Sequence, residues 1–265
     1  MGASGFVEIA PGVRVVTAVK YTTNTTIVVR DDKAVLVDPA WTEPDLDRIA
    51  SWLRDNHLDV TAGLSTHGHY DHVLWHPEFG DAPRWGSPRA VAMAETDRAI
   101  ILEHLVGDIP VEWPHPVDGL RALDATVVPD PFRDHSDAPF EPIEFVVHDG
   151  HAPGHTAMWM PERGVMCAGD MLSDIELPFP FEPDDLPAYL AGLDVLAPVV
   201  AAASVLVPGH GHVSHRPMER LDADRFYLDR LMQGLDPDDP RRAFPESEAA
   251  HQKMLAMART LLEER

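Results

Sequence analysis

Two successive rounds of strand-forming runs and helical patterns predict an α/β fold in which two sheets are sandwiched between helices. Three observations carry this expectation. Short β-branched or apolar runs recur along the chain, stretches of helical period separate them, and Gly-His or Gly-Asp pairs stand at the ends of several runs. Residues 25–30 and 34–37, separated by Asp31 and Asp32, read as antiparallel strands that follow a first strand at 13–19. Over 43–58 the apolar residues Leu46, Ile49 and Leu53 recur at helical spacing, with Thr42 as N-cap and Pro44 in the first turn. A buried strand at 60–65 comes next, then a helix over 88–106. Seven prolines between 107 and 142 mark an irregular segment, with a short strand expected at 125–128. The second round has strands at 143–147, 157–160 and 164–168, a helix at 184–196 and a strand at 205–207, and helices at 218–232 and 246–262 close the chain. There is no internal repeat. The expected organisation is one domain over 1–265, with 217–265 as C-terminal helices.

The composition, 45% hydrophobic and 25% charged, is that of an ordinary globular protein. The longest apolar run, 195–207, is too short to span a bilayer and contains Pro198 and Ser204. The opening residues lack the basic start and apolar run of a signal peptide. The single cysteine, Cys167, excludes an intramolecular disulfide framework and suits a reducing compartment, so the expected location is the cytoplasm. A formal net charge of −23 repels polyanions and argues against nucleic-acid and anionic-membrane partners.

The strand at 60–65 delivers the stretch Ser65-Thr66-His67-Gly68-His69-Tyr70-Asp71-His72, which places three imidazoles and a carboxylate in six positions. These are the ligand types that zinc and iron(II) take in catalytic sites. His67 and His69, two apart in extended backbone, lie on one side and can reach one ion, while Asp71 and His72 follow where the chain turns. Three later signals also end strands: His151-Ala152-Pro153-Gly154-His155-Thr156, Gly169-Asp170, and Pro208-Gly209-His210-Gly211-His212. Glycine beside each ligand lets the backbone turn and approach closely. The isolated histidines His57, His76, His104, His115, His135, His148 and His251 are expected to be ordinary surface or core residues.

In this order and at these intervals, the motifs HxHxDH, GHxPGHT, a Gly-Asp after a strand and PGH resemble the metallo-β-lactamase superfamily. The resemblance runs from the opening strands to His210. It implies an αββα four-layer sandwich and a centre of two divalent ions, with zinc expected. Carried over by position, His67, His69 and His155 hold the first ion, Asp71, His72 and His210 the second, and Asp170 bridges both. His151 is then expected to support a ligand or the structure, and His212 is the competitor of His210. A dinuclear centre activates a bridging water, so the implied activity is hydrolysis of a small-molecule ester, lactone or thioester by a metal-bridging hydroxide, with Asp71 orienting the nucleophile or relaying its proton. The alternative is a sulfur dioxygenase, an oxidoreductase of the same superfamily, which uses one iron held by the equivalents of His67, His155 and Asp170. Trp75, three residues after a ligand, and Phe179 and Phe181, after the bridging aspartate, are expected to line an apolar substrate pocket.

Overall fold

The computed structural model describes residues 5–124, 129, 132, 143–180, 186–245 and 247–263. Eleven strands among them form two sheets. The larger has the order β1 (Val7–Ala10), β2 (Val13–Thr17), β3 (Asn24–Arg30), β4 (Lys33–Val37), β5 (Asp59–Leu64), β6 (Arg84–Gly86) and β7 (Leu120–Ala122). Its first four strands pair antiparallel as a meander, and β4 to β7 pair parallel. The smaller sheet has the order β11 (Val205–Pro208), β10 (Val165–Gly169), β9 (His155–Met160) and β8 (Glu144–His148).

Alternation along the strands divides the apolar residues among three cores. In β3 and β4, Val28, Val35 and Val37 face the space between the sheets, where Met158, Val165, Cys167 and Val207 of the smaller sheet meet them. The intervening Ile27, Ala34 and Leu36 face outward onto α1 (Glu43–Asp55), through its Leu46, Ile49 and Leu53. On the opposite outer face, Ala157, Trp159, Met166 and Leu206 pack against α4 (Leu186–Ala202), α5 (Pro217–Met232) and α6 (Ser247–Glu263). Helix, sheet, sheet and helix therefore stack in four layers, as expected.

Three differences from the sequence reading have physical causes. The helix expected over 88–106 is two, α2 (Pro88–Thr96) and α3 (Arg98–His104). Asp97 lies between them with φ −94° and ψ 8°, outside helical geometry, and serves as C-cap of one and N-cap of the other. α4 runs through Pro198 to Ala202, beyond the expected end at 196. Burial of Leu193, Leu196 and Val200 on one face offsets the hydrogen bond that the exposed Pro198 removes. The strands β1, β6 and β7 were missed, the last two being only three residues long, while the strand expected at 125–128 lies outside the described residues.

Trp75 requires a correction. It does not line the cavity described below but fills the outer face of the larger sheet, where Gly63 of β5 offers no side chain. A Cβ added at Gly63 would lie 2.6 Å from the Trp75 ring. The indole N–H donates to the Gly80 carbonyl at 3.0 Å, and the ring meets Phe79 edge-on at 5.2 Å. Trp75→Ala is accordingly expected to lower unfolding free energy by about 3–5 kcal/mol while leaving substrate preference alone. An unchanged denaturation midpoint in urea would refute this packing role.

Candidate metal centre

The site lies where strand ends of both sheets meet. Asp38, at the end of β4, accepts from the Thr66 N–H at 2.8 Å and the Thr66 hydroxyl at 2.7 Å, fixing the start of the loop after β5. The Thr156 N–H donates to the Thr66 carbonyl at 2.7 Å and so ties the smaller sheet to the same loop. Gly209 is required by close approach, since a Cβ there would collide with the Asp170 carboxylate. Gly169 has φ +57° and its missing Cβ leaves room for the His155 ring, 2.4–2.6 Å from where that atom would stand, within the packed layer beneath the site.

Two groups of potential ligands face one another, His67 with His69, His151 and Asp170, and Asp71 with His72 and His210. In the first, His69 Nδ1 lies 2.8 Å from His67 Nε2 and 3.2 Å from His151 Nε2. Asp170 Oδ2 is 3.4 Å from His67 Nε2 and 3.5 Å from His151 Nε2. In the second, Asp71 Oδ2 lies 3.3 Å from His72 Nε2 and 3.1 Å from His210 Nε2. Asp170 reaches this group too, with Oδ1 3.1 Å from His72 Nε2 and Oδ2 3.4 Å from His210 Nε2.

His155 is the second correction. His151, not His155, offers a ring nitrogen to the group of His67, His69 and Asp170. His155 is the first residue of β9 and fully buried beneath the cluster, where its Nε2 accepts the Asp170 backbone N–H at 3.1 Å and its Nδ1 faces His148 Nε2 at 3.3 Å. Four residues earlier, in the loop before the strand, His151 projects into the group. Sequence offers two histidines flanking one Pro-Gly turn, and only the strand start decides between them. His212 is exposed and held by Asp174, with its Nδ1 2.9 Å from the carboxylate, so His210 is the histidine at the centre.

The far ring nitrogens are engaged in ways suited to ligation. His151 Nδ1 contacts the Phe179 carbonyl at 3.0 Å and His210 Nδ1 the Tyr21 carbonyl at 3.1 Å, which places N–H on Nδ1 and the lone pair on the Nε2 that faces the cluster. His72 Nδ1 lies 3.0 Å from Asp38 Oδ2. Both ring nitrogens of His72 and Asp170 Oδ1 are nevertheless buried without a hydrogen bond of good geometry, which is costly unless something else satisfies them. Imidazole nitrogens, carboxylates and orphaned buried atoms of this kind fit divalent metal ions.

Charge is divided to match. Burial pushes His148 down to about 4 and His151 down to about 3, and lowers His69 and His155 well below the ordinary value, keeping these imidazoles neutral. Burial also opposes charge on His72 and His210, but Asp170 with Asp71 beside His72, and Asp170 with Glu176 beside His210, outweigh it and raise both. Metal-stripped protein is therefore expected to be most stable near the ordinary imidazole value, about pH 6.5. Below it the unfolded chain takes up protons that the four lowered histidines refuse, so stability falls. Above it His72 and His210 lose protons that the fold had stabilised, and stability falls again. Denaturant midpoints in chelator at pH 5, 6.5 and 8 check this, and a monotonic trend would contradict it.

The loop after Asp170 is locked from the C-terminal side. The Ser173 hydroxyl donates to the His210 carbonyl at 2.8 Å. Arg241 Nη1 donates to the carbonyls of Ser173 and Glu176 at 3.2 and 3.3 Å, and the same buried guanidinium pairs with Asp224 and Asp239. Beside the cluster opens a cavity of about 530 Å³ lined by Asp71, Asp170, His210, Glu176, Phe179 and aromatic side chains of both halves. Phe179 stands in its wall, whereas Phe181 lies outside the described residues. The sequence reading missed Glu176, whose burial pushes its carboxyl up to about 7, and gave no role to His104, which lines the cavity.

The model of the metallo-beta-lactamase superfamily matches residues 19–210, and the chain belongs to that superfamily. It is 27% identical over 152 residues to a hydroxyacylglutathione hydrolase of Synechococcus sp. (strain CC9605), covering 55% of this chain and 49% of that one. It is 43% identical over 75 residues to a protein of the same name from Parasynechococcus marenigrum (strain WH8102), covering 28% and 27%. The matches thus span about half or less of the length of these curated relatives. Among solved structures, a metallo-beta-lactamase family protein from Thermus thermophilus superposes with a TM-score of 0.66 at 22% identity, covering 97% of this chain and 95% of that one.

Proposed function

We propose that this chain is a metal-dependent hydrolase of a small-molecule thioester, carboxyl ester or lactone, built on a centre of two divalent ions, zinc in the first instance. The observation that carries the reading is Asp170, whose two carboxylate oxygens lie within 3.5 Å of His67, His72, His151 and His210, members of both groups. His67, His69 and His151 would hold one ion, Asp71, His72 and His210 the other, and Asp170 both. Bound ions would supply an activated water and polarise the carbonyl under attack. Asp71, between His72 and His210 and lining the cavity, is placed to accept and orient the proton of that water. The cavity walls hold the acyl group and exclude bulk water. Two relatives named hydroxyacylglutathione hydrolase support an acyl hydrolase.

The oxygenase alternative gains no separate support, because with His151 in place of His155 its set, His67, His151 and Asp170, is part of the same cluster. No helix among the described residues is long and apolar enough to cross a membrane, and we read the chain as one cytoplasmic domain acting on a small molecule. Elemental analysis of purified protein with a thioester assay tests the proposal. Two zinc per chain with thioester cleavage is expected; one iron per chain with oxygen consumption would replace it.

A further inference from the structure

We propose, building on the hydrolase reading, that the cavity selects an uncharged substrate with a ring-sized apolar acyl group and rejects an anionic carrier such as glutathione. A continuous run of rings forms one wall. His104 stacks on Tyr70 with centroids 4.9 Å apart, Tyr70 meets Trp41 edge-on at 5.3 Å, Trp41 stacks on Tyr21 at 5.4 Å, and Tyr21 meets Phe244 at 6.3 Å. All five line the cavity, as do Leu177 and Phe179 beside the metal groups. Flat aromatic surface of this extent favours apolar, ring-bearing ligands.

The charges point the same way. Asp97 and Glu176 line the cavity, and among the described residues no lysine or arginine does. Lys20 sits over Trp41 at 4.3 Å and is paired with Asp108 at 2.5 Å. Arg241 is buried against Asp224 and Asp239, and Arg242 is paired with Asp236 and Glu248. Arg241 and Arg242 are thus committed to internal partners. Lys253 is exposed, 5.1 Å from the Phe179 ring. Away from the ions, an anionic carrier would therefore meet Asp97 and no basic side chain among the described lining residues, within the field of a chain of net charge −23. Phe244, like Ser247 and Ala250 of the cavity wall, stands beyond the superfamily match that ends at residue 210.

The test uses zinc-loaded protein and four non-hydrolysable amides with NH in place of the thioester sulfur, phenylacetyl or acetyl on a glutathione or an N-acetylcysteamine frame. Competition calorimetry is expected to rank the neutral phenylacetyl amide at least about 10-fold tighter than its glutathione counterpart at low salt, and roughly 30-fold tighter than the neutral acetyl amide. Phe244→Ala should weaken the phenylacetyl amide and spare the acetyl one. A glutathione amide that binds as well as the neutral one, equal losses on both acyl groups, or no binding by the neutral phenylacetyl amide would overturn the inference. The matching thioesters are assayed in parallel. If the binding order holds but none is cleaved, the hydrolase reading fails and the selectivity stands.

Discussion

Asp170→Ala is expected to abolish turnover, by roughly 10³-fold or more, and to lower metal content at both positions together. The carboxylate lies within 3.5 Å of ligands in both halves of the centre, with Oδ1 toward His72 and Oδ2 toward His67, His151 and His210. In the proposed two-ion centre, losing it would remove a negative charge shared by both cations, whereas losing a terminal imidazole would affect one. The variant also tests the metal-free protein. His72 and His210 are held above the ordinary imidazole value against burial by carboxylates of which Asp170 is the first, so its removal lets both fall. Elemental analysis with a thioester assay reads the first effect and imidazole proton resonances over a pH series the second. Full occupancy of both sites in the variant would remove Asp170 from the bridge.

The second large effect separates two histidines that the sequence does not. His151→Ala is expected to strip one ion, with activity falling by a further order of magnitude or more beyond the roughly 10- to 100-fold loss of His155→Ala. His151 presents Nε2 to His69 at 3.2 Å and anchors its other nitrogen on the Phe179 carbonyl. His155 accepts a backbone N–H at Nε2 and so is placed to position Asp170 rather than to reach a bound ion. The informative measurement is the zinc titration. A first-ion affinity lost in His155→Ala and kept in His151→Ala would reverse the assignment.

The fold was legible because its signals are local. Alternation in β3, β4, β9 and β10 sets which residues enter which core, and the Leu46, Ile49 and Leu53 stripe requires α1. The ligands on the β5 loop were equally legible, since six consecutive residues at one strand end cannot scatter. Other features depend on contacts that sequence does not record. Trp75 was placed by nearness in sequence to His72, yet its direction is set by the vacancy at Gly63, twelve residues earlier on a neighbouring strand face. His151 and His155 differ only in which of them begins β9. The aromatic wall draws on Tyr21, Trp41, Tyr70, His104 and Phe244, five segments with no shared motif.

Arg241 couples two properties that protein engineers would wish to vary separately. The same guanidinium that is buried against Asp224 and Asp239 also holds the carbonyls of Ser173 and Glu176, in the loop that leaves Asp170 and fastens His210. Breaking a buried pair of this sort costs about 3–5 kcal/mol. Phe244, three residues further on, helps to shape the substrate cavity. Exchanging this tail for that of another superfamily member to redirect substrate choice would therefore disturb metal retention, unless the acceptor retains Asp224 and the donor supplies both Asp239 and Arg241. A library that randomises the tail while preserving that clamp is thus expected to sample new acyl preferences without loosening the loop that leaves Asp170.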